Sequence, residues 1–285
     1  MIIGIIGFGF VGKVTYILKN TNDYFIVYDI NTDMCIPKNV SLNDMSICDL
    51  IFICVPTPMN KNGSCHLNIV QSVITDLGHI IDNKKTDIIL RSTVPPGTSD
   101  KFNVFFMPEF LTEKNYKEDF INCKNWLFGY PKNITDDGLN SFKNKITTLF
   151  GNAINDKCIK YDNIHFMLNE EAEMTKYFRN VFLATKVSFC NEIEEFCTKK
   201  NINYDNVIKH VTLDDRITSS HTCVPGPDGK RGFGGICFPK DISSLYYQMK
   251  KIKMKSYIIQ NVMKRNNDKD RKEKDWKLCK GRAVI

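Results

Sequence analysis

No apolar run in the chain approaches the roughly 20 residues that a membrane-spanning helix needs, so no span is expected. Nor is there a charged leader ahead of an apolar stretch. Met1 to Gly12 already read as strand and turn, which argues against a secretory leader and points to a cytoplasmic protein. CxxC pairs are missing, as is any Cys/His cluster with zinc spacing, so no metal site is expected. The 11 cysteines are odd in number and lie in a large chain, which favours reduced thiols over a disulfide framework. Internal repeats are absent. Basic residues are scattered, so the net charge of +7 suits an anionic small molecule rather than nucleic acid. What is present is 42% hydrophobic and 25% charged residue in 285 positions, enough for a substantial core and for two domains.

From Met1 to about Asp162, short apolar runs alternate with amphipathic stretches, the rhythm of strand-helix-strand units around a parallel sheet. Strands are predicted at residues 2–6, 25–28, 50–54, 88–91, 104–107 and 126–128, and helices at 10–19, 68–81 and 138–150. The expected fold class is therefore α/β, with an N-terminal Rossmann, doubly wound parallel sheet over residues 1–165. An α-helical central domain over 166–262 follows, because strand signals stop near Asn163. Residues 170–199 form one apolar-periodic segment without Pro or Gly, predicting a helix of about eight turns. A helix that long is suited to be a spine between subunits, and a homodimer through it is the expectation. Residues 203–213 predict a second helix, 225–235 a turn-rich loop, and a further helix begins near Asp241. Residues 266–280 are almost wholly charged or polar, so 263–285 read as a solvated tail or linker.

Gly7-Phe8-Gly9-Phe10-Val11-Gly12 follows a strand of Ile and Gly and opens a helix, the context of a dinucleotide fingerprint. Gly7 permits the tight turn, Gly9 lets backbone approach a pyrophosphate, and Gly12 lets helix pack against strand. Phe10 and Val11 begin the helix whose N–H groups face the anion. Asp29 closes the second strand, where a carboxylate accepts from ribose hydroxyls and repels a 2'-phosphate, favouring NAD over NADP. Outside this context the glycines would be turn glycines only, and the fold alone does not name a reaction.

The reaction is named by five stretches: Cys54-Val55-Pro56-Thr57-Pro58, Ser92-Thr93-Val94-Pro95-Pro96-Gly97-Thr98, Pro108-Glu109-Phe110-Leu111-Thr112-Glu113, Glu173-Met174-Thr175-Lys176 with Asn180, and Gly232-Phe233-Gly234-Gly235-Ile236-Cys237-Phe238-Pro239-Lys240-Asp241. In this order they make the chain resemble the UDP-glucose/GDP-mannose dehydrogenase family. The resemblance implies an NAD-dependent four-electron oxidation of the C6 hydroxyl of a nucleotide sugar, with UDP-glucose preferred over GDP-mannose. It implies Cys237 as nucleophile, tethering the aldehyde as a thiohemiacetal and then a thioester. Lys176 and Asn180, four residues apart on one helix face, are implied to support the developing oxyanion, with Lys176 a candidate base. Glu109 is implied to assist thioester hydrolysis, Asp241 to orient the water, and Thr93 to position water and nicotinamide. Thr57, Thr93, Glu113 and Lys240 join the cofactor set, and Glu109, Phe110, Leu111, Lys176, Asn180, Arg216 and Gly234 the substrate set. Lys240 and the start of the next helix would lower the Cys237 pKa.

Each residue taken alone has a plainer reading. Cys237 would be an inert buried thiol, Lys176 and Asn180 a solvated face, Glu113 a helix-start carboxylate, Asp241 an N-cap, and Lys230 and Arg231 exposed loop charges. The chain departs from the family's pattern at Lys114 and Thr218, and residues 280–285 read as the first strand of a further nucleotide-holding domain. A non-catalytic NAD or nucleotide-sugar binding protein is the alternative from another class. A two-electron hydroxyacid dehydrogenase is a third, and it leaves the Cys237 frame unexplained.

Overall fold

A computed structural model of the chain describes residues 1–82, 85–112 and 114–285. It divides into two compact units, one of residues 1–57 and 67–176, the other of 58–66 and 177–285. The division thus falls inside the long helix at 176/177, against 165/166 in the sequence-based division.

The first unit holds one seven-stranded sheet: β1 (Ile2–Ile6), β2 (Tyr24–Tyr28), β3 (Leu50–Ile53), β4 (Asp87–Leu90), β5 (Phe105–Phe106), β6 (Trp126–Tyr130) and β7 (Ile164–Leu168). Their order is β2-β1-β3-β4-β5-β6-β7. All pairs are parallel except β5 with β6, so the expected parallel sheet carries one reversal. Alternation along each strand serves two cores. Ile3, Ile5, Leu50, Phe52 and Ile89 face one side, and Ile51, Ile53, Ile88 and Leu90 the other. Burial on both faces makes the strands continuously apolar, which is why the sequence shows them clearly.

Helices α1 (Phe10–Thr15), α2 (Asn68–Gly78), α3 (Thr98–Phe102), α4 (Tyr116–Ile121) and α5 (Asp136–Asn155) connect the strands. The Thr135 hydroxyl caps α5 by accepting from the Gly138 N–H at 3.2 Å, and Phe142, Ile146, Leu149, Phe150 and Ala153 bury its inner face. Strand β7 corrects the expectation that strands stop near Asn163. It pairs with β6 at the sheet edge, none of its residues is fully buried, and the exposed His165 interrupts its apolar residues.

Helix α6 (Asn169–Lys199) runs for 31 residues, about 46 Å at 1.5 Å per residue. Its first residue is anchored by the Asn169 amide, which donates to Asp100 Oδ1 and the Val104 carbonyl at 2.9 Å each. In the second unit follow α7 (Tyr204–Val211), capped by Asn203, α8 (Cys237–Lys251) and α9 (Ile258–Arg265). The start of α8 is a correction: it lies at Cys237, four residues before Asp241. Pro239 is tolerated there because the first-turn N–H groups have no intrahelical partner to lose. Residues 266–280 are likewise not a solvated tail. Asn266, Asp270, Arg271 and Trp276 are buried, and the charges are neutralised in pairs. Arg265 meets Asp270 at 2.9 Å and Glu195 at 3.2 Å, while Arg271 meets Asp228 and Asp275.

Candidate active site

In the first unit, the turn after β1 is shaped by glycine. Gly7 has φ +88°, and a Cβ there would stand 2.9 Å from the Cys54 carbonyl oxygen at the end of β3. A side chain at Gly12 would drive into the Gly7 backbone, whereas Gly9 faces open space. Gly9 is also the N-cap of α1 and supplies no side chain to its first-turn N–H groups. Asp29, just past β2, accepts from the Phe8 N–H at 2.6 Å and from Asn31 N–H at 2.9 Å, which ties the acid to the glycine turn. Open backbone beside uncapped donors, with an anchored carboxylate at the neighbouring strand, fits the pyrophosphate and ribose of a dinucleotide. These loops lie at the C-terminal ends of β1 and β3, where the strand order reverses and ligand crevices of open sheets form. Phe10 rests edge-on against Tyr116 at 5.2 Å, and Val11 packs against the core.

Next to this turn, the Thr57 hydroxyl donates to the Thr93 carbonyl at 2.8 Å and Ser92 to the Val55 carbonyl at 2.6 Å, joining the loops that follow β3 and β4. Lys176 Nζ and Glu109 Oε1 form an ion pair of 2.8 Å, almost wholly buried. Glu109 Oε2 accepts from the Leu111 N–H at 2.9 Å, and the Lys176 ammonium lies 5.6 Å from the Phe110 ring centre. Burial would raise the Glu109 pKa, but the Lys176 charge and hydrogen bond outweigh it and hold the carboxyl below its ordinary range. Glu109, Phe110, Leu111 and Lys176 are thus brought together. Glu113 lies outside the described residues.

Two buried groups of this unit carried no assignment in the sequence. Arg91 donates to Thr15 Oγ1 at 2.5 Å and lies over the Phe120 ring. Glu173, fully buried, accepts from the Gly97 N–H at 2.6 Å and the Ser99 N–H at 2.8 Å, pinning the loop after β4 to α6. Burial pushes its pKa up to about 7 despite those bonds. Both residues lie in or beside motif stretches, the one signal that would have found them.

In the second unit, Cys237 is the first residue of α8, preceded by Gly235 at φ +70°. Asp241, 1% exposed, accepts from Asn180 Nδ2 and from Lys240 Nζ, each at 2.6 Å. It sits inside α8, whose N-cap is Ile236, so the N-cap reading of Asp241 is corrected. Burial pulls the Lys240 pKa down, but the Asp241 carboxylate and the Cys237 sulfur more than offset it, and the ammonium is held above its usual range. A buried cation therefore lies near the sulfur. Other cysteines differ. Burial pushes Cys54 up to about 11 and Cys48 up to about 12, which keeps both as thiols. None of the eleven is paired in a disulfide.

Residues 37–142 match the NAD binding domain of the UDP-glucose/GDP-mannose dehydrogenase family, and residues 170–268 match its central domain. The chain belongs to this family. It is 31% identical over 269 residues to the UDP-glucose 6-dehydrogenase of Rickettsia typhi, covering 89% of this chain and 57% of that protein. To the GDP-mannose 6-dehydrogenase of Pseudomonas savastanoi pv. phaseolicola it is 31% identical over 238 residues, 76% of this chain and 50% of that one. The chain therefore spans about half the length of these curated relatives. A UDP-glucose dehydrogenase structure from the archaeon Pyrobaculum islandicum superimposes with a TM-score of 0.77 at 24% identity, covering 94% of this chain and 68% of that one, a likeness of fold.

The remaining residues assigned from the family have partners of their own in the second unit. Arg216 is exposed and forms its ion pair with Asp214 at 2.6 Å. Lys230 and Arg231 are exposed loop charges, as the plainer reading has them, and both are ion-paired: Lys230 reaches Asp275 at 3.0 Å and Arg231 reaches Glu194. Gly234 is a position of close approach, though what approaches is the Arg271 side chain: a Cβ would stand 2.8 Å from its guanidinium carbon. Among the described residues no three His, Cys, Asp or Glu side chains form a group able to hold a metal, and no helix is long and apolar enough to cross a membrane.

Proposed function

We propose that this chain carries an NAD-dependent nucleotide-sugar 6-dehydrogenase, oxidising the C6 hydroxyl to a carboxylate with UDP-glucose as preferred substrate. The observation that carries the reading is the setting of Cys237: first residue of a helix, behind two glycines, with the buried Lys240 ammonium in the same turn. The thiolate is the form of such a side chain that attacks a carbonyl. NAD, when bound, supplies the hydride acceptor, one molecule for each of the two hydrides that leave C6. The Cys237 sulfur holds the C6 carbon as a thiohemiacetal and then a thioester, so that no aldehyde escapes between the oxidations. Lys176 and Asn180, one turn apart on α6, donate to the C6 oxygen as it gains charge. Glu109, kept ionised by Lys176, and Asp241, held between Asn180 and Lys240, are carboxylates that orient the hydrolytic water and take its proton.

Incubation of the purified chain with NAD and a panel including UDP-glucose and GDP-mannose tests this. Two NADH formed per sugar consumed supports the proposal. One per sugar identifies a simple alcohol dehydrogenase, and none with intact NAD binding identifies a binding protein. Cys237→Ser is expected to abolish release of the acid, and undiminished turnover would remove Cys237 from the mechanism.

We further propose a homodimer through α6. Phe178, Phe182, Phe189 and Phe196 stand 55–64% exposed on this helix, with Phe178 and Phe182 stacked at 6.2 Å. Such a row of exposed aromatics supports self-association through this face. Eleven cysteines with no disulfide pair among them suit a reducing cytoplasm.

A further inference from the structure

The charged segment 266–275, which composition assigns to solvent, is folded against the glycine loop that precedes Cys237. The buried Asn266 side chain pairs with the Phe233 backbone as a neighbouring strand would. Its Oδ1 accepts from the Phe233 N–H at 2.8 Å and its Nδ2 donates to the Phe233 carbonyl at 3.0 Å. Arg271, 2% exposed, lies flat on Gly234, where any Cβ would stand 2.9 Å from its Nε. Its guanidinium donates to the Arg231 carbonyl at 3.2 Å and to Asp275 Oδ1 at 3.2 Å, and is paired with Asp228. Gly232, at φ +67°, donates its N–H to Asn191 Oδ1 at 3.2 Å, and a Cβ there would stand 2.9 Å from that of Asp270. Phe233, buried by these contacts, meets the ring of Phe238, the residue after Cys237, at 6.4 Å. Backbone on the N-terminal side of Cys237 is therefore held from one side by two side chains of a single segment.

We infer that Asn266 and Arg271 are positioning residues for Cys237: they fix residues 232–235 and so set where α8 begins and where its first side chain stands. The inference rests on the reading of Cys237 as nucleophile. It explains the glycines of the loop physically. Gly234 admits the guanidinium and Gly232 the Asn266 and Asp270 side chains, so the pattern records the strap as well as the substrate. Lysine at 271 would keep the charge without the planar fork that lies on Gly234 and reaches Asp228, Asp275 and the Arg231 carbonyl together. Aspartate at 266 would keep the acceptor for the Phe233 N–H and lose the donor to its carbonyl.

The test measures Cys237 itself. Parent, Arg271→Lys and Asn266→Asp chains are alkylated with iodoacetamide from pH 5.5 to 9, and modification of Cys237 and of Cys279 is followed by mass spectrometry in the same samples. Cys237 alkylation at pH 7 is expected to slow by roughly tenfold in both variants, with its pH profile displaced upward and Cys279 unchanged. NADH formation is expected to lose kcat in proportion while KM for NAD stays within about twofold. Equal Cys237 rates and pH profiles in all three chains would overturn the inference. Should Cys237 respond as expected in a parent chain that makes no NADH from any nucleotide sugar, the positioning stands and the proposed reaction is what fails. Where either variant melts below the assay temperature, the other supplies the measurement.

Discussion

The Glu173 carboxyl makes a stability signature that can be worked out in advance. It is wholly buried, accepts from the N–H groups of Gly97 and Ser99, and has its pKa pushed up from 4.5 to about 7 by burial. In the unfolded chain the group sheds its proton near pH 4.5, while the folded chain keeps it until about pH 7. Unfolding between those limits releases a proton, so the contribution is fully present below pH 4.5 and is lost as pH rises through 7. A difference of about 2.5 pKa units corresponds to about 3 kcal/mol. Asp87 and Asp270 are also raised, while Glu109 is lowered and loses its contribution as pH falls below the ordinary carboxylate range, so the quantity to measure is the difference between the parent and Glu173→Gln. Glutamine keeps one acceptor oxygen and turns an NH2 toward the second N–H. The variant is therefore expected to be less stable than the parent at pH 4.5, and to improve relative to it by about 3 kcal/mol by pH 8. Urea unfolding in a Trp276→Phe background, followed by the fluorescence of the buried Trp126, reads the sheet unit alone. Stability curves that stay parallel from pH 4.5 to 8 would refute the reasoning.

Lys176→Ala leaves the Glu109 carboxylate buried without its counter-ion and should cost about 3–5 kcal/mol in the same unfolding assay, and a Lys176→Met, Glu109→Gln double variant should recover most of it. Gly12→Ala would force a methyl into the Gly7 backbone, so NADH binding followed by fluorescence should be lost or the melting point lowered by more than about 5 °C, and an unchanged titration would contradict the packing. Phe182→Asp is expected to turn the proposed α6-mediated dimer into a monomer in sedimentation velocity, and a dimer of unaltered strength would place the interface elsewhere.

The sheet was legible because buried parallel strands are apolar throughout, and the glycine turn because three glycines, a strand and an acid fall in order. What escaped was hidden by composition. Strand β7 has His165 exposed at its second position and no fully buried residue, so its apolar run is cut to Phe166-Met167-Leu168. The start of α8 was obscured by glycines and Pro239, residues that usually end helices but are admissible in a first turn. Segment 266–275 looked solvated because hydropathy counts each charge singly, while Arg265 and Arg271 are neutralised by acids as distant in sequence as Glu195 and Asp228. Roles of Lys176, Asn180, Glu109 and Asp241 came from family resemblance. Spacing alone put Lys176 and Asn180 on one face, and it could not foresee that Glu109 would take the one and Asp241 the other.

The four exposed phenylalanines of α6 fall at intervals of four, seven and seven residues. At 100° of rotation per residue their directions spread over only about 40° along about 27 Å of helix. A row so nearly straight is followed only by a partner axis lying almost alongside it, at the shallow crossing of about 20° that suits interlocking ridges. Two copies related by a twofold axis satisfy that geometry with the same four rings on each side. The contact then closes on itself and cannot propagate into a filament.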